Sequence, residues 1–302
     1  MPWPTWQESL IAALLSSVAI LVLRRTRPSR FTNVGLQAST EFAILAALYS
    51  IWRMARLLPL YQSGGARSRA LDIVEVQRTL WWPDELVLQE LVMRSESLSW
   101  VSSAYYTAVH VPATIAFLVW LFWRHRDRFG QWRNVLAITT GFCLVLRFWR
   151  VAPPRFFPEL GYVDLPEQFG LSPYGPVGTG VSPQFAAMPS IHVAWAAVVS
   201  FGIVAAGRHR HRRWFLAHLV MTVLVVSATG HHWWLDSFVG VGVVGLAWLL
   251  DRWGRRRLES GQVFGWRFRP GRLTNRVEGG RRVVALDGGE RLLDPLADAG
   301  QR

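Results

Sequence analysis

The sequence contains no lysine, only one cysteine and few charged residues for its length. Because Cys143 is alone, no disulfide can form within the chain, and a disulfide-stabilised domain is excluded. Charged residues make up 18% of the 302 residues, against about 25% in an ordinary soluble domain. The chain also lacks a glycine-rich nucleotide loop and the Cys and His spacing typical of a zinc site. We therefore expect neither a metal nor another cofactor.

All 33 basic residues are arginine, and the formal net charge is +13. A strongly basic chain can bind nucleic acid, but these arginines cluster in short segments between apolar runs. That arrangement is typical of membrane topology, in which basic residues gather in cytoplasmic loops. We expect no nucleic-acid partner. Exclusive use of arginine is typical of a GC-rich genome, and we expect a bacterial plasma membrane protein.

Long apolar stretches predict an all-α, polytopic membrane protein, because a helix needs about 20 residues to cross the hydrocarbon core. The first stretch is followed by the basic segment "RRTRPSR", so it is interpreted as a membrane helix and not as a cleaved signal peptide. Six or seven spans are predicted, at about 9–23, 38–60, 98–123, 134–152, 190–207, 214–229 and 233–251.

The connecting loops predict the orientation of these helices. Four loops are strongly basic, at 24–30, 124–133, 207–213 and 251–257. The alternate loops, 61–97 and 153–189, are longer and mixed in charge. Seven spans place all four basic loops on one side, which the positive-inside rule makes cytoplasmic. The N-terminus and the two long loops are then extracytoplasmic.

Three domains or segments are expected along the chain. Residues 1–35 hold the first membrane helix and a basic loop, and residues 36–252 hold the main transmembrane domain. Within it, apolar residues at helical spacing in 65–97 predict one or two amphipathic helices in the outer interface. Residues 253–302 are rich in Gly and Arg without a sustained period, which predicts a disordered cytoplasmic tail.

Three polar segments fall at the predicted outer ends of helices, at 147–164, 186–195 and 229–236. They supply arginine, serine with histidine, and histidine with aspartate, a set that can transfer a phosphoryl group without a metal. His232 and Asp236 are four residues apart and share a helical face, so Asp236 can orient one ring nitrogen and leave the other to attack. His231 is directed about 100° away and is the weaker nucleophile candidate.

The segments "PSIH" (189–192) and "GHHWWLD" (230–236) resemble the second and third motifs of the type 2 phosphatidic acid phosphatase superfamily. "APPR" (152–155) and "GYVD" (161–164) resemble the first motif of its branch that contains inositolphosphotransferases such as inositol phosphorylceramide synthase. The resemblance covers about 40–250 and implies a six-helix transmembrane core, here with an extra N-terminal helix. It implies His232 as the nucleophile that forms a phosphohistidine, Asp236 as its activator, His192 as the general acid, and Arg155 and Ser190 as phosphate ligands.

Two positions depart from the superfamily pattern. The basic residue expected seven positions before Arg155 is Phe148, and the arginine expected six positions before His232 is Val226. Basic side chains near the first motif, or on the second helix, are the possible substitutes in phosphate binding: Arg147, Arg150, Arg53 and Arg56. Further possible substrate-binding residues are His110, Asp164 and His231.

These features predict an enzyme that acts on a lipid phosphate or a phospholipid headgroup at the extracytoplasmic face. If water resolves the phosphohistidine, the enzyme is a lipid phosphatase; if inositol or another polyol does, it is a phosphotransferase. The residues leave the choice of acceptor open, and the branch resemblance favours transfer. A transporter and an inactive scaffold are the alternatives of another class, although the charges cluster at one face and no internal repeat is visible.

Overall fold

In a computed structural model, residues 4–27, 29–56, 64–172, 185–259, 273–278 and 281–286 are described. The described chain is almost entirely helical, as the all-α prediction requires. The α-helices in chain order are α1 Trp6–Arg25, α2 Arg30–Arg56, α3 Ala66–Thr79, α4 Glu85–Met93, α5 Glu96–Ala108, α6 His110–Arg124, α7 Arg126–Leu146, α8 Leu165–Gln168, α9 Ile191–Ala206, α10 Leu216–Ala228 and α11 Trp234–Glu259. Short 3-10 helices cover Pro154–Phe156, Pro158–Leu160 and Arg210–Phe215.

Three of the described helices are long and apolar enough to cross a membrane: Trp6–Arg25, Arg30–Ala55 and Trp234–Leu258. A fourth span arises if α5 and α6 are counted together. The other predicted spans are present as helices but are shorter or more polar, as α9 with 16 residues and α10 with 13 illustrate. The chain is therefore an all-α, polytopic integral membrane protein.

The predicted third span is not one straight helix. It breaks between Ala108 and His110, and its halves are bent by 51°. The cause is Pro112, which lacks a backbone N–H and whose ring clashes with the carbonyl four residues earlier, that of Ala108. The break places His110 at the start of α6, close to the polar segments described below.

The apolar core lies between α6, α7, α9 and α11 and includes Phe117, Trp132, Val198 and Ala247. α6 and α9 cross closely at Gly202, where an added Cβ atom would lie 2.2 Å from the Phe117 ring. α1 packs mainly on α2, and Ser50 of α2 donates a hydrogen bond to the Trp6 carbonyl (2.8 Å). Much of the remaining apolar surface of α1 is exposed, as expected of a helix that faces lipid.

The predicted amphipathic segment contains the two helices α3 and α4.

The chain divides into two compact units, Met1–Asp251 and Arg252–Arg302. In the second unit, the prediction of disorder differs from the structure, which has an antiparallel pair of strands, β1 Leu273–Glu278 and β2 Arg281–Leu286. The sequence Gly279–Gly280 between two Val-containing runs is a typical hairpin signal that explains the difference.

Candidate active site

The three predicted polar segments meet in the structure. Their backbones are joined by hydrogen bonds from Ala187 N to the Val151 carbonyl (3.2 Å), from Arg155 N to the Gly230 carbonyl (2.8 Å) and from Ser190 N to the Asp236 carbonyl (3.1 Å). Backbone pairing of this kind fixes the relative positions of the segments more tightly than side-chain packing alone. The first, second and third motifs therefore form one site.

His232 is buried, and its ring is oriented by a backbone group. Its Nδ1 lies 2.8 Å from the Ala187 carbonyl oxygen and 3.5 Å from Asp236 Oδ2. A carbonyl oxygen only accepts, so Nδ1 donates its hydrogen, and in the neutral ring the lone pair is then on Nε2. This arrangement leaves Nε2 as the atom that can attack phosphorus. The nearer partner, Ala187, was not predicted because a carbonyl contact has no signature in the sequence.

Asp236 lies beside His232 for a different reason from the one that the spacing suggested. α11 begins at Trp234, so His232 precedes the helix and does not share a helical face with Asp236. Instead, Asp236 Oδ2 reaches back to accept a hydrogen bond from Trp233 N (2.9 Å), as an acidic residue in the first turn of a helix often does. The carboxylate is completely buried. Capping of α11 therefore places the carboxylate next to the imidazole.

His192 lies in the first turn of α9 and faces His232, with 5.8 Å between ring centroids. Tyr106 and His110 lie on its other sides, with ring centroids at 4.7 Å and 4.3 Å. The structure thus brings His110, a possible substrate-binding residue, against the predicted general acid. The imidazoles of His192 and His232 are far enough apart to lie on opposite sides of a phosphoryl group.

Ser190 is the N-cap of α9, and its hydroxyl accepts a hydrogen bond from Val193 N (3.4 Å). The residue is fully buried. Its capping role sets the direction in which α9 leaves the site. A contact between Ser190 and phosphate stays a prediction.

Arg155, Asp164 and His231 form a buried polar cluster next to His232. Arg155 Nε lies 3.2 Å from Asp164 Oδ2, and His231 Nε2 lies 3.8 Å from Asp164 Oδ1. Burial raises the pKa of Asp164, and the Arg155 guanidinium opposes that rise. Burial also lowers the pKa of His231 well below its usual range, and the positive charge of Arg155 adds to that effect. Asp164 thus orients Arg155, and His231 is held as a neutral ring.

The other predicted arginines lie in different surroundings. Arg147 is buried, and its guanidinium donates to the Ala55 carbonyl of α2 (3.4 Å). The Arg150 carbonyl accepts from Arg69 Nε (2.6 Å). Arg53 lies on α2, and no hydrogen bond or ion pair between described residues links it to the histidines. The side chain of Arg56 lies outside the described residues. Phosphate contacts of these four arginines stay predictions.

Three buried polar residues of α3 and α4 were missed: Gln77, Glu85 and Gln89. They were overlooked because the predicted helices were treated only as membrane-interface elements. Their register is a usable signal, since the buried positions are 66, 70, 73 and 77 on α3 and 85, 89 and 92 on α4. A polar side chain in register with a buried stripe needs a specific hydrogen-bond partner.

The fold and the site together define an integral membrane protein of the α-helical class with buried histidine, aspartate and arginine side chains at one end of its bundle. Within the described residues, no group of three His, Cys, Asp or Glu side chains is placed to hold a metal ion. The chain belongs to the PAP2 superfamily, whose family model matches residues 71–250. No curated protein and no solved structure matches the chain.

The family match includes all three polar segments and leaves out α1, α2 and the second compact unit. Membership supports a phosphatase-type enzyme that acts on a phosphate-containing substrate.

Proposed function

We propose that this protein is a metal-independent lipid phosphatase or phosphotransferase, which acts on a lipid phosphate or a phospholipid headgroup at the extracytoplasmic face of the membrane. The observation that supports this function best is the 2.8 Å contact between His232 Nδ1 and the Ala187 carbonyl. Because Nδ1 is taken up by this contact, Nε2 is the nitrogen left for attack, on a ring whose centroid lies 5.8 Å from that of His192.

The proposed reaction has two displacements at phosphorus. In the first, His232 Nε2 attacks phosphorus, the bond from phosphorus to the lipid oxygen breaks, and His192 gives its proton to that oxygen. In the second, a hydroxyl attacks phosphorus, the phosphorus–nitrogen bond breaks, and the hydroxyl proton passes to His192. Arg155 neutralises charge on the phosphoryl oxygens, and Asp236 stabilises the charge that develops on the His232 ring.

The acceptor in the second displacement decides between the two activities. With water the protein is a phosphatase, and with inositol or another polyol it is a phosphotransferase. We favour transfer to a polyol, because "APPR" and "GYVD" resemble the inositolphosphotransferase branch.

The test combines trapping of the intermediate with an acceptor screen. Purified protein is incubated in EDTA with phosphatidic acid labelled on phosphorus and quenched in alkali, where phosphohistidine survives. We expect label on the wild type and on the His211→Ala control, an exposed histidine, and none on His232→Ala. Labelled wild-type protein then receives water, myo-inositol or other polyols, and products are identified by mass spectrometry. Equal labelling of His232→Ala contradicts the mechanism, and turnover that requires a metal contradicts metal independence.

A further inference from the structure

The N-terminus of α11, which directly follows His232, is held by side chains from distant helices. The first amide groups of a helix have no acceptor within the helix. Here Trp234 N donates to Glu85 Oε1 (2.7 Å) and Leu235 N donates to Gln77 Oε1 (2.9 Å). Asp236 satisfies the preceding amide, as described above. Two of these three acceptors therefore come from α3 and α4.

Gln77 and Glu85 form a single buried unit. Gln77 Nε2 donates to Glu85 Oε1 (2.9 Å), so that the Gln77 carbonyl oxygen faces Leu235. Both residues are less than 5% exposed. Because water does not compete for these groups, loss of one acceptor leaves a buried backbone N–H without a hydrogen-bond partner.

Gln89 holds the other side of the same corner. It exchanges two hydrogen bonds with the backbone of Val163, each 3.0 Å, and also donates to the Ala228 carbonyl (3.0 Å). Val163 belongs to the first motif, and Ala228 ends the helix that precedes the twin histidines. Gln89 therefore links the segment of Arg155 and Asp164 to the segment of His232.

We propose that Gln77, Glu85 and Gln89 are positioning residues that fix the corner 228–235, and with it the nucleophilic nitrogen of His232. This inference rests on the proposed function. Its physical basis is that a shift of about 1 Å in a reacting group can reduce the rate on the order of 100-fold. Through these three side chains, α3 and α4 support the backbone that carries the nucleophile.

The main test compares three variants of the full-length protein with phosphatidic acid as the substrate. Glu85→Ala removes the acceptor of Trp234, Glu85→Gln keeps an Oε1 acceptor, and Glu90→Ala removes an exposed carboxylate from the same helix. For Glu85→Ala we expect kcat to fall roughly 10- to 100-fold, with KM changed less than about threefold. Glu85→Gln restores most of the rate, and Glu90→Ala behaves as the wild type.

A second measurement does not depend on turnover. Deuterium exchange of the amides at 233–236 is expected to accelerate in Glu85→Ala and to stay unchanged in Glu90→Ala. If Glu85→Ala is not recovered folded, Gln77→Asn, which is shorter by one methylene, takes its place.

The two proposals fail in different ways. A folded wild-type protein that turns over no lipid phosphate contradicts the proposed function. In that case the deuterium exchange rates of the amides at 233–236 are the only test of the positioning role. If the wild type is active, a kcat for folded Glu85→Ala within threefold of the wild-type value overturns the positioning role, whatever its exchange rate.

Discussion

Ionisable side chains lie at both ends of α9 and α11, but they are buried at one end and exposed at the other. At the beginning of α11, His231 and His232 are 2% and 5% exposed, and Asp236 is fully buried. Beyond the other end of α9, His209 and His211 are exposed among arginines. Burial of an ionisable group costs free energy unless the group has partners. Burial together with specific partners therefore identifies the site, whereas the number of ionisable residues does not.

The arginine-rich end also has contacts, but they serve to join helices. Arg133 of α7 pairs with Glu41 of α2, and Asn134 donates to Asp251 of α11 (2.9 Å). The Arg133 and Glu41 side chains are 18% and 24% exposed. Polar contacts at this end stabilise packing, whereas those at the other end orient reactive atoms.

His192→Ala should reduce turnover of phosphatidic acid by about 10²–10⁴-fold, the usual contribution of a general acid. In the first displacement, followed as the initial burst of leaving group, the loss should be much smaller with p-nitrophenyl phosphate, because nitrophenolate leaves without a proton. The matched variant at the arginine-rich end, His211→Ala, should keep the wild-type rate with both substrates. Equal losses of His192→Ala on the two substrates in this first displacement would show that His192 does not protonate the leaving oxygen.

Gly230→Ala should destabilise the site by about 2 kcal/mol or more. Gly230 has a positive φ of 76°, and an added Cβ atom would lie 2.4 Å from the Val163 carbonyl oxygen. Gly245 of α11 has open space around its Cβ position, so Gly245→Ala should be neutral or slightly stabilising. Thermal unfolding in detergent measures both changes. Similar unfolding temperatures for the two variants would contradict the close packing of the corner.

Much of the fold could be predicted from local sequence, and much of the site could not. Apolar run lengths locate α1, α2 and α11, and the periodicity of 65–97 predicts helices where α3 and α4 occur. The placement of the polar segments at the predicted outer helix ends brings His192 and His232 together, and the motif resemblance implies their roles. The bend at Pro112 was missed because the apolar run continues through it, although the proline is a recognised breaker.

The missed part of the site consists of contacts between residues far apart in the chain. The Ala187 carbonyl orients His232 through its backbone, and a backbone contact is independent of residue type. Glu85 lies 149 residues from Trp234, the residue whose amide it accepts. Such pairings depend on how the helices pack, which no local pattern contains. Only the placement of Glu85 and Gln89 on a buried stripe indicated that they had partners.

The stability of the folded protein should also depend on pH through Glu85, at the end that holds the histidines. Burial raises the pKa of this carboxyl to about 7, and the negative charge of Asp84 adds to that rise. Tyr162 is a further ionisable group near Glu85, and its hydroxyl donates to Asp84 Oδ1 (2.7 Å). The folded state therefore holds a proton between pH 4.5 and about 7 that the unfolded state releases. Stability from this group is present below pH 4.5 and is lost as the pH rises through 7.

Glu85→Gln removes that titration, so its unfolding temperature should fall less than that of the wild type between pH 5 and pH 8. The difference corresponds to a free energy on the order of 3 kcal/mol or less. Glu90→Gln alters an exposed carboxylate on the same helix and should keep the wild-type pH dependence. Parallel pH curves for the wild type and Glu85→Gln would show that Glu85 is ionised throughout this range.

The smallest effect is expected at the arginine-rich end. Glu41→Gln removes the charge that Arg133 faces, and the partial exposure of both side chains limits the loss of stability to about 1 kcal/mol. Turnover of phosphatidic acid should stay unchanged, because this pair joins α2 to α7 away from the buried histidines. A fall in kcat for folded Glu41→Gln would mean that packing at one end of the bundle controls His232 at the other. The distinction between a reactive end and a structural end would then no longer hold.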